Sequence, residues 1–118
     1  MRKIERQMLQ AIVDDRSHWS KDNTRVELDE DKCCHNVYLH GHRIACYYPS
    51  TMNLHINNCG YETNTTKSRL NALIQFVLGG TCRLGQRNFD WFLFKTTSKD
   101  ADTYVTTSTP IPDGWITV

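Results

Sequence analysis

Eight of the ten cysteine and histidine side chains in this 118-residue chain lie between Cys33 and Cys59, and thiols crowded among imidazoles are the raw material of a metal centre or redox couple. A zinc site needs four ligands converging as a tetrahedron, usually delivered as two pairs, each presented by one tight turn. Here Cys33 and Cys34 are adjacent, a spacing that rarely lets both sulfurs reach one ion. Cys34, Cys46 and Cys59 are each separated by a strand's length of chain. His40 and His42 can share a strand face, because alternate residues project the same way, but they would need distant help from Cys46 or His55. A nuclease of the ββα-metal type would carry a metal ligand on the helix after its hairpin, and residues 66–78 contain no His, Asp or Glu. The expectation is therefore no metal and no cofactor. If it fails, His40, His42, Cys46 and His55 are the residues to which a metal would go.

Other chemistry is sparser. His18, His35, His40, His42 and His55 offer bases and several Cys and Ser offer nucleophiles, but there is no nucleophile elbow, phosphate loop or paired-carboxylate signature. The expectation is no catalytic residue and no enzyme. Two binding readings remain. Lys67, Ser68 and Arg69 fall in the first turn of a well-capped helix, where free backbone N–H groups and the helix dipole favour an anion such as phosphate. The plainer alternative is that these bases are solvated, or that Arg69 pairs with Asp90 or Glu62. Separately, Tyr47, Tyr48, Phe89, Trp91 and Phe94, with Arg43, Arg83 and Arg87, are the residue types of a stacking surface for single-stranded nucleic acid. Its plainer alternative is an aromatic core under ordinary surface charge. The binding residues taken from both readings are Lys67, Arg69, Arg83, Arg87, Trp91 and Tyr47.

The elements that would position these groups follow from periodicity. Ile4, Met8, Leu9 and Ile12 recur at helical spacing among charged residues, predicting an amphipathic helix over 3–14. After the polar stretch Ser17–Asn23, Thr24–Leu28 alternates as a half-buried strand. Asn36–Leu39 and Arg43–Tyr48 predict a hairpin, with Gly41 in the turn, and Thr51–Ile56 a third strand of the same meander. Tyr61-Glu62-Thr63 is a short strand or extended lead-in. A helix over 66–78 follows, capped by Asn64, Thr65 or Thr66, with Leu70, Leu73, Ile74 and Val77 on one face and Gly79-Gly80 as its stop. Burying those four aliphatic side chains, at roughly 1.5–3 kcal/mol each, sets the helix against the sheet. Cys82–Leu84 and Phe89–Phe94 predict a second hairpin around Gly85–Asn88. Its aromatic run is too continuous for one-sided burial, so one ring should reach an edge or an interface.

Composition fits one modest core. The fold class expected is α+β: a small single domain, residues 1–95, of antiparallel β meander and hairpins packed by two helices. Residues 96–118 form a polar extension able to add one strand at Tyr104-Val105-Thr106 before a loosely held terminus. Formal net charge is +1, with five acids against three bases in residues 21–32 and six bases against Glu62 and Asp90 in residues 33–95. That surplus falls well short of a dedicated nucleic-acid binder's. No stretch has the length of a signal peptide's apolar run or of a membrane span. An odd number of cysteines then reads as free thiols in a reducing cytoplasm, without a structural disulfide, and Asn64-Thr65-Thr66 as a helix start rather than a glycosylation sequon.

Two segments carry a resemblance. Val37-Tyr38-Leu39-His40-Gly41 running to Ile44-Ala45, paired with Thr65-Thr66-Lys67-Ser68-Arg69-Leu70-Asn71-Ala72-Leu73, resembles a family of small proteins encoded by tailed bacteriophages, including phages of cyanobacteria. The likeness takes in the opening helix, Asn23-Thr24, Gly60-Tyr61 and Phe89-x-Trp91-Phe92, and so covers most of residues 1–94. It does not extend to Cys33-Cys34-His35, which further weakens a metal site. The resemblance implies a phage accessory protein in the cytoplasm of the infected bacterium. Because no chemistry accompanies it, the function expected is binding of a host or phage protein, with self-association into a homo-oligomer a further expectation of the exposed aromatics. The alternatives are a weak nucleic-acid binder using the basic and aromatic central region, or a zinc-binding module. No membrane role is expected.

Overall fold

The structure, a computed structural model, describes residues 1–98, 100–112 and 114–118. The first amphipathic run forms helix α1, Lys3–Val13, which buries Met8, Ala11 and Ile12. It ends at Asp14, and Asp15 turns the chain with a positive φ of 51°. Strand β1, His18–Lys21, lies within the polar stretch Ser17–Asn23, whose composition predicts no strand. The Asp22-Asn23 turn folds it back on β2, Thr24–Asp29, with Lys21 opposite Thr24. Strands β3, Cys34–Leu39, and β4, His42–Tyr48, are joined by His40-Gly41 at φ of 51° and 80°, the pair of left-handed residues that a two-residue hairpin needs. A bulge between Val37 and Tyr38 shifts their register. Strand β5 covers Asn53–Ile56, starting later than predicted because Met52 adopts a positive φ in the turn.

Residues 57–63 form no strand. Asn57 and Asn58 accept the backbone N–H groups of Cys59 and Gly60 with their own side chains, a local arrangement that replaces ladder pairing. Helix α2, Asn64–Leu78, is capped not by Asn64, Thr65 or Thr66 but by Thr63, whose Oγ1 accepts from the Thr66 N–H. Gly79 closes it at φ 75°. Strands β6, Cys82–Arg87, β7, Asp90–Ser98, and β8, Tyr104–Pro110, follow, and β9, Ile116–Thr117, ends the chain's secondary structure.

Among the described residues these strands make two antiparallel sheets. The first runs β1-β2-β3-β4-β5-β9, and the second, β6-β7-β8, is separate. The predicted second hairpin therefore does not extend the meander. Its turn is Asn88-Phe89, not Gly85–Asn88, because Arg87 pairs with Asp90 and Gly85 stays within β6. β7 runs straight across residue 95, so the polar extension is continuous with the core hairpin. Nor is the terminus loosely held: β9 pairs with β5, and the Val118 N–H donates to the Leu54 carbonyl.

The two helices cover one face of the first sheet. Val26, Val37, Ala45, Leu54 and Ile56 meet Met8 and Ile12 of α1 and Leu70, Leu73, Ile74 and Val77 of α2. Cys82, Leu84 and Trp91 bring the inner face of the second sheet into the same core. Asn71 of α2 fixes that junction: its Nδ2 donates to the Leu84 carbonyl at 3.0 Å, and the Leu84 N–H donates to its Oδ1 at 2.6 Å. Among the described residues no helix is long and apolar enough to cross a membrane.

Candidate interaction surface

Side chains alternate across the second sheet, so the inner face takes Cys82, Leu84 and Trp91 and the outer face takes Arg83, Gly85, Arg87, Phe92 and Phe94. On the outer face Arg83 lies opposite Phe94 and Gly85 opposite Phe92. The Arg83 guanidinium sits 4.6 Å from the centre of the Phe94 ring, and Arg87 lies 5.4 Å from Phe92 and 5.5 Å from Phe94. The two rings are 6.2 Å apart. Gly85 makes this layer possible without any unusual φ. A Cβ there would fall 2.6 Å from Cε2 of Phe94 and 2.8 Å from an Arg83 nitrogen, so only a missing side chain lets ring and guanidinium lie across the strand.

The result is a mixed aromatic and cationic layer with both rings half-buried. Phe89, in the hairpin turn beside it, is 91% exposed. On the far side β8 is exposed along its whole length, and Tyr104 and Val105 are among the exposed apolar side chains. Asp90, beside the turn of the hairpin, is the acid nearest in register, opposite Arg87. A positive, half-apolar sheet face of this kind can stack planar groups and pair with anions, but it holds no nucleophile and base in hydrogen-bond contact.

Of the residues singled out by sequence, Arg83 and Arg87 meet on this face, and Lys67 reaches the neighbouring strand, donating to Gln86 Oε1 at 2.9 Å. The others do not. Trp91 is buried on the inner face, and Tyr47 is buried against Phe76, ring edge to ring face at 5.8 Å. Arg69 turns inward and pairs with neither Asp90 nor Glu62. Its Nη1 meets Glu5 Oε2 of α1 at 2.7 Å, its Nε donates to Thr24 Oγ1 at 2.9 Å and its Nη2 to Asn23 Oδ1 at 3.3 Å. Ser68 Oγ donates to the same Glu5 oxygen at 2.6 Å. Burial alone would raise the Glu5 pKa, but the Ser68 and Arg69 hydrogen bonds, the Arg2 N–H and the guanidinium charge outweigh it and hold the carboxyl below its ordinary 4.5. Because α2 begins at Asn64, Ser68 and Arg69 lie in its second turn rather than its first, where they form an internal clamp.

The residues that sequence reasoning omitted from the surface are Phe92 and Gly85. The signal was present: Arg83-x-Gly85-x-Arg87 and Phe92-x-Phe94, read at period two, place all five on one side.

The cysteine and histidine groups disperse. No group of three or more His, Cys, Asp or Glu side chains among the described residues is arranged to hold a metal ion. His42 packs on Tyr61 with ring centres 4.8 Å apart, and wholly buried His35 bonds Asp15 through Nε2 at 3.1 Å. Cys46 and His55 pair across β4 and β5 on the first sheet's uncovered face, away from His35. All five cysteines are free thiols. Burial, then the neighbouring Cys46, pushes Cys34 up to about 11, and burial raises Cys59 and Cys82. Such thiols are poor thiolate donors near neutral pH.

No curated protein and no solved structure matches the chain. The family described as Kyanoviridae Gp96 protein matches residues 1–110, nearly the whole length and both sheets' framework. The chain belongs to that family of cyanophage proteins.

Proposed function

We propose that this phage protein is a non-enzymatic accessory factor that works in the cytoplasm of the infected bacterium by binding a host or phage protein through the outer face of its second sheet. The observation carrying the reading is the Arg83, Phe94, Arg87 and Phe92 layer, flattened by Gly85, with exposed arginines over half-buried rings. Arginine and aromatic side chains are the groups enriched where interfaces concentrate binding energy. Beside them, the unpaired backbone groups of β8 suit an extended partner segment adding as a strand. Immobilised protein in infected-cell extract should retain a defined partner that the Arg83→Ala/Phe94→Ala double variant loses, while Arg25→Ala, on the first sheet, still retains it. Equal retention by the double variant would remove this face from the account.

A second reading, single-stranded nucleic acid, is favoured by the arginines lying over phenyl rings, a geometry that also accepts bases. Fluorescence anisotropy with single- and double-stranded oligonucleotides at low and moderate salt separates the two. Salt-sensitive binding of the single strand tighter than about 1 μM would put nucleic acid first. With a formal net charge of +1, weaker and non-selective binding is expected.

A further inference from the structure

The face of the first sheet that the helices leave open carries a built recess that the binding surface above does not use. Its volume is about 260 Å³. Three short side chains of β3 and β4 make its floor: Cys34, Asn36 and Cys46, at 1%, 8% and 8% exposure. Longer side chains stand round them: Lys32, Arg43, Tyr48, His55 and, from the segment before β9, Trp115. None of the lining residues is an acid. Two carboxylates of β2 flank it: Asp29, across the ladder from Cys34, has its Oδ1 occupied by the Lys32 N–H at 3.1 Å, and Glu27, across from Asn36, has its Oε1 3.5 Å from Arg25 Nε and 3.4 Å from His18 Nδ1.

Two features mark the recess as prepared. The Asn36 Oδ1 is shut off from solvent and has no hydrogen-bond partner, an arrangement that buried amides do not keep without cause. Two side chains around it, Arg43 and His55, are also held in place. Arg43 lies 4.9 Å over the Trp115 ring, and His55 is engaged at Nδ1 by the Thr117 hydroxyl at 2.8 Å, which leaves Nε2 for another group. Tyr48 packs edge-on against His55 with ring centres 5.7 Å apart.

We propose that this recess binds a small phosphate-bearing molecule, its phosphate on Arg43, Lys32 and His55, with the Asn36 amide turning to offer its unpartnered Oδ1 to a hydroxyl or N–H donor of the ligand. A nucleoside monophosphate uses every part, since its sugar hydroxyls can donate to the amide and its base can lie on exposed Trp115. Donors on Arg43 and Lys32 beside an amide acceptor, over a floor without an acid, recognise such a molecule.

Titration of the full chain with AMP, inorganic phosphate and adenosine, followed by amide chemical shifts, tests the proposal. AMP should saturate, with shifts centred on residues 34–36, 46, 55 and 115, and adenosine should bind at least about tenfold more weakly. Phosphate as tight as AMP would support the site and identify the free anion as its ligand. Arg43→Ala, which changes an exposed side chain, should weaken AMP about tenfold or more, and Trp115→Ala should weaken AMP but not phosphate. Failure of both AMP and phosphate to saturate by about 10 mM, adenosine binding as tightly as AMP, or unchanged affinity in Arg43→Ala would each overturn it.

Discussion

Removing the guanidinium of Arg69 would leave the Glu5 carboxylate buried between α1 and α2 with its countercharge gone. Arg69→Ala should therefore cost about 3–5 kcal/mol in chemical denaturation, far more than loss of a surface arginine. The double variant Glu5→Leu/Arg69→Met should recover much of that loss, because two buried charges vanish together. Acid reads the same clamp. The folded-state pKa of Glu5 lies below 4.5, so the unfolded chain takes up the proton first as pH falls. Its stabilisation is complete above about 4.5 and drains as pH drops through the folded value, an acid limb that Glu5→Gln should flatten in pH-dependent unfolding. Gly85 is a different sort of dependence. Gly85→Ala puts a methyl where Phe94 and Arg83 now lie, and should destabilise by about 1–3 kcal/mol and abolish partner retention in the pull-down.

Among the elements, α2 has a definite start at Thr63, and Thr63→Ala should lower stability by about 0.5–2 kcal/mol in the same denaturation experiment while leaving partner binding intact. The helix itself was legible because Leu70, Leu73, Ile74 and Val77 repeat at its period, and the β3–β4 hairpin because Gly41 punctuates two apolar runs. β1 was not, since Trp19 is the sole apolar residue of Ser17–Asn23 and a strand with one inward side chain has no visible alternation. β9 is two residues long, and its pairing with β5 is a tertiary fact that no local pattern encodes. Sequence puts the turn of the second hairpin too early because a glycine in a strand reads as freedom of φ. At Gly85 what matters is the missing Cβ, and that depends on a ring nine residues further along. Long-range contacts also account for predicted binding residues that fold inward: Arg69 and Tyr47 look like surface chemistry until the partners that bury them, Glu5 and Phe76, are brought in from distant sequence.

Taken whole, the molecule is two sheets sharing one core, with the larger sheet's open face and the smaller sheet's outer face offering separate surfaces. Phe89 and Tyr104, at 91% and 70% exposure, and the uncovered β8 strand make self-association the expected behaviour at high concentration. Light scattering over a concentration series should show a rise in mass that Phe89→Ser reduces. A flat series for the wild type would remove the apolar tip as a contact.

How far such association could proceed is set by a single amide. Asn71 takes the hydrogen-bonding place of a neighbouring strand beside Leu84, interrupting the β6 margin of the smaller sheet while the β8 margin stays open. Assembly by strand addition to the smaller sheet then has one usable side, and joining two such sides consumes both. Stoichiometry along that route would stop at two, with fibre growth denied a place to continue.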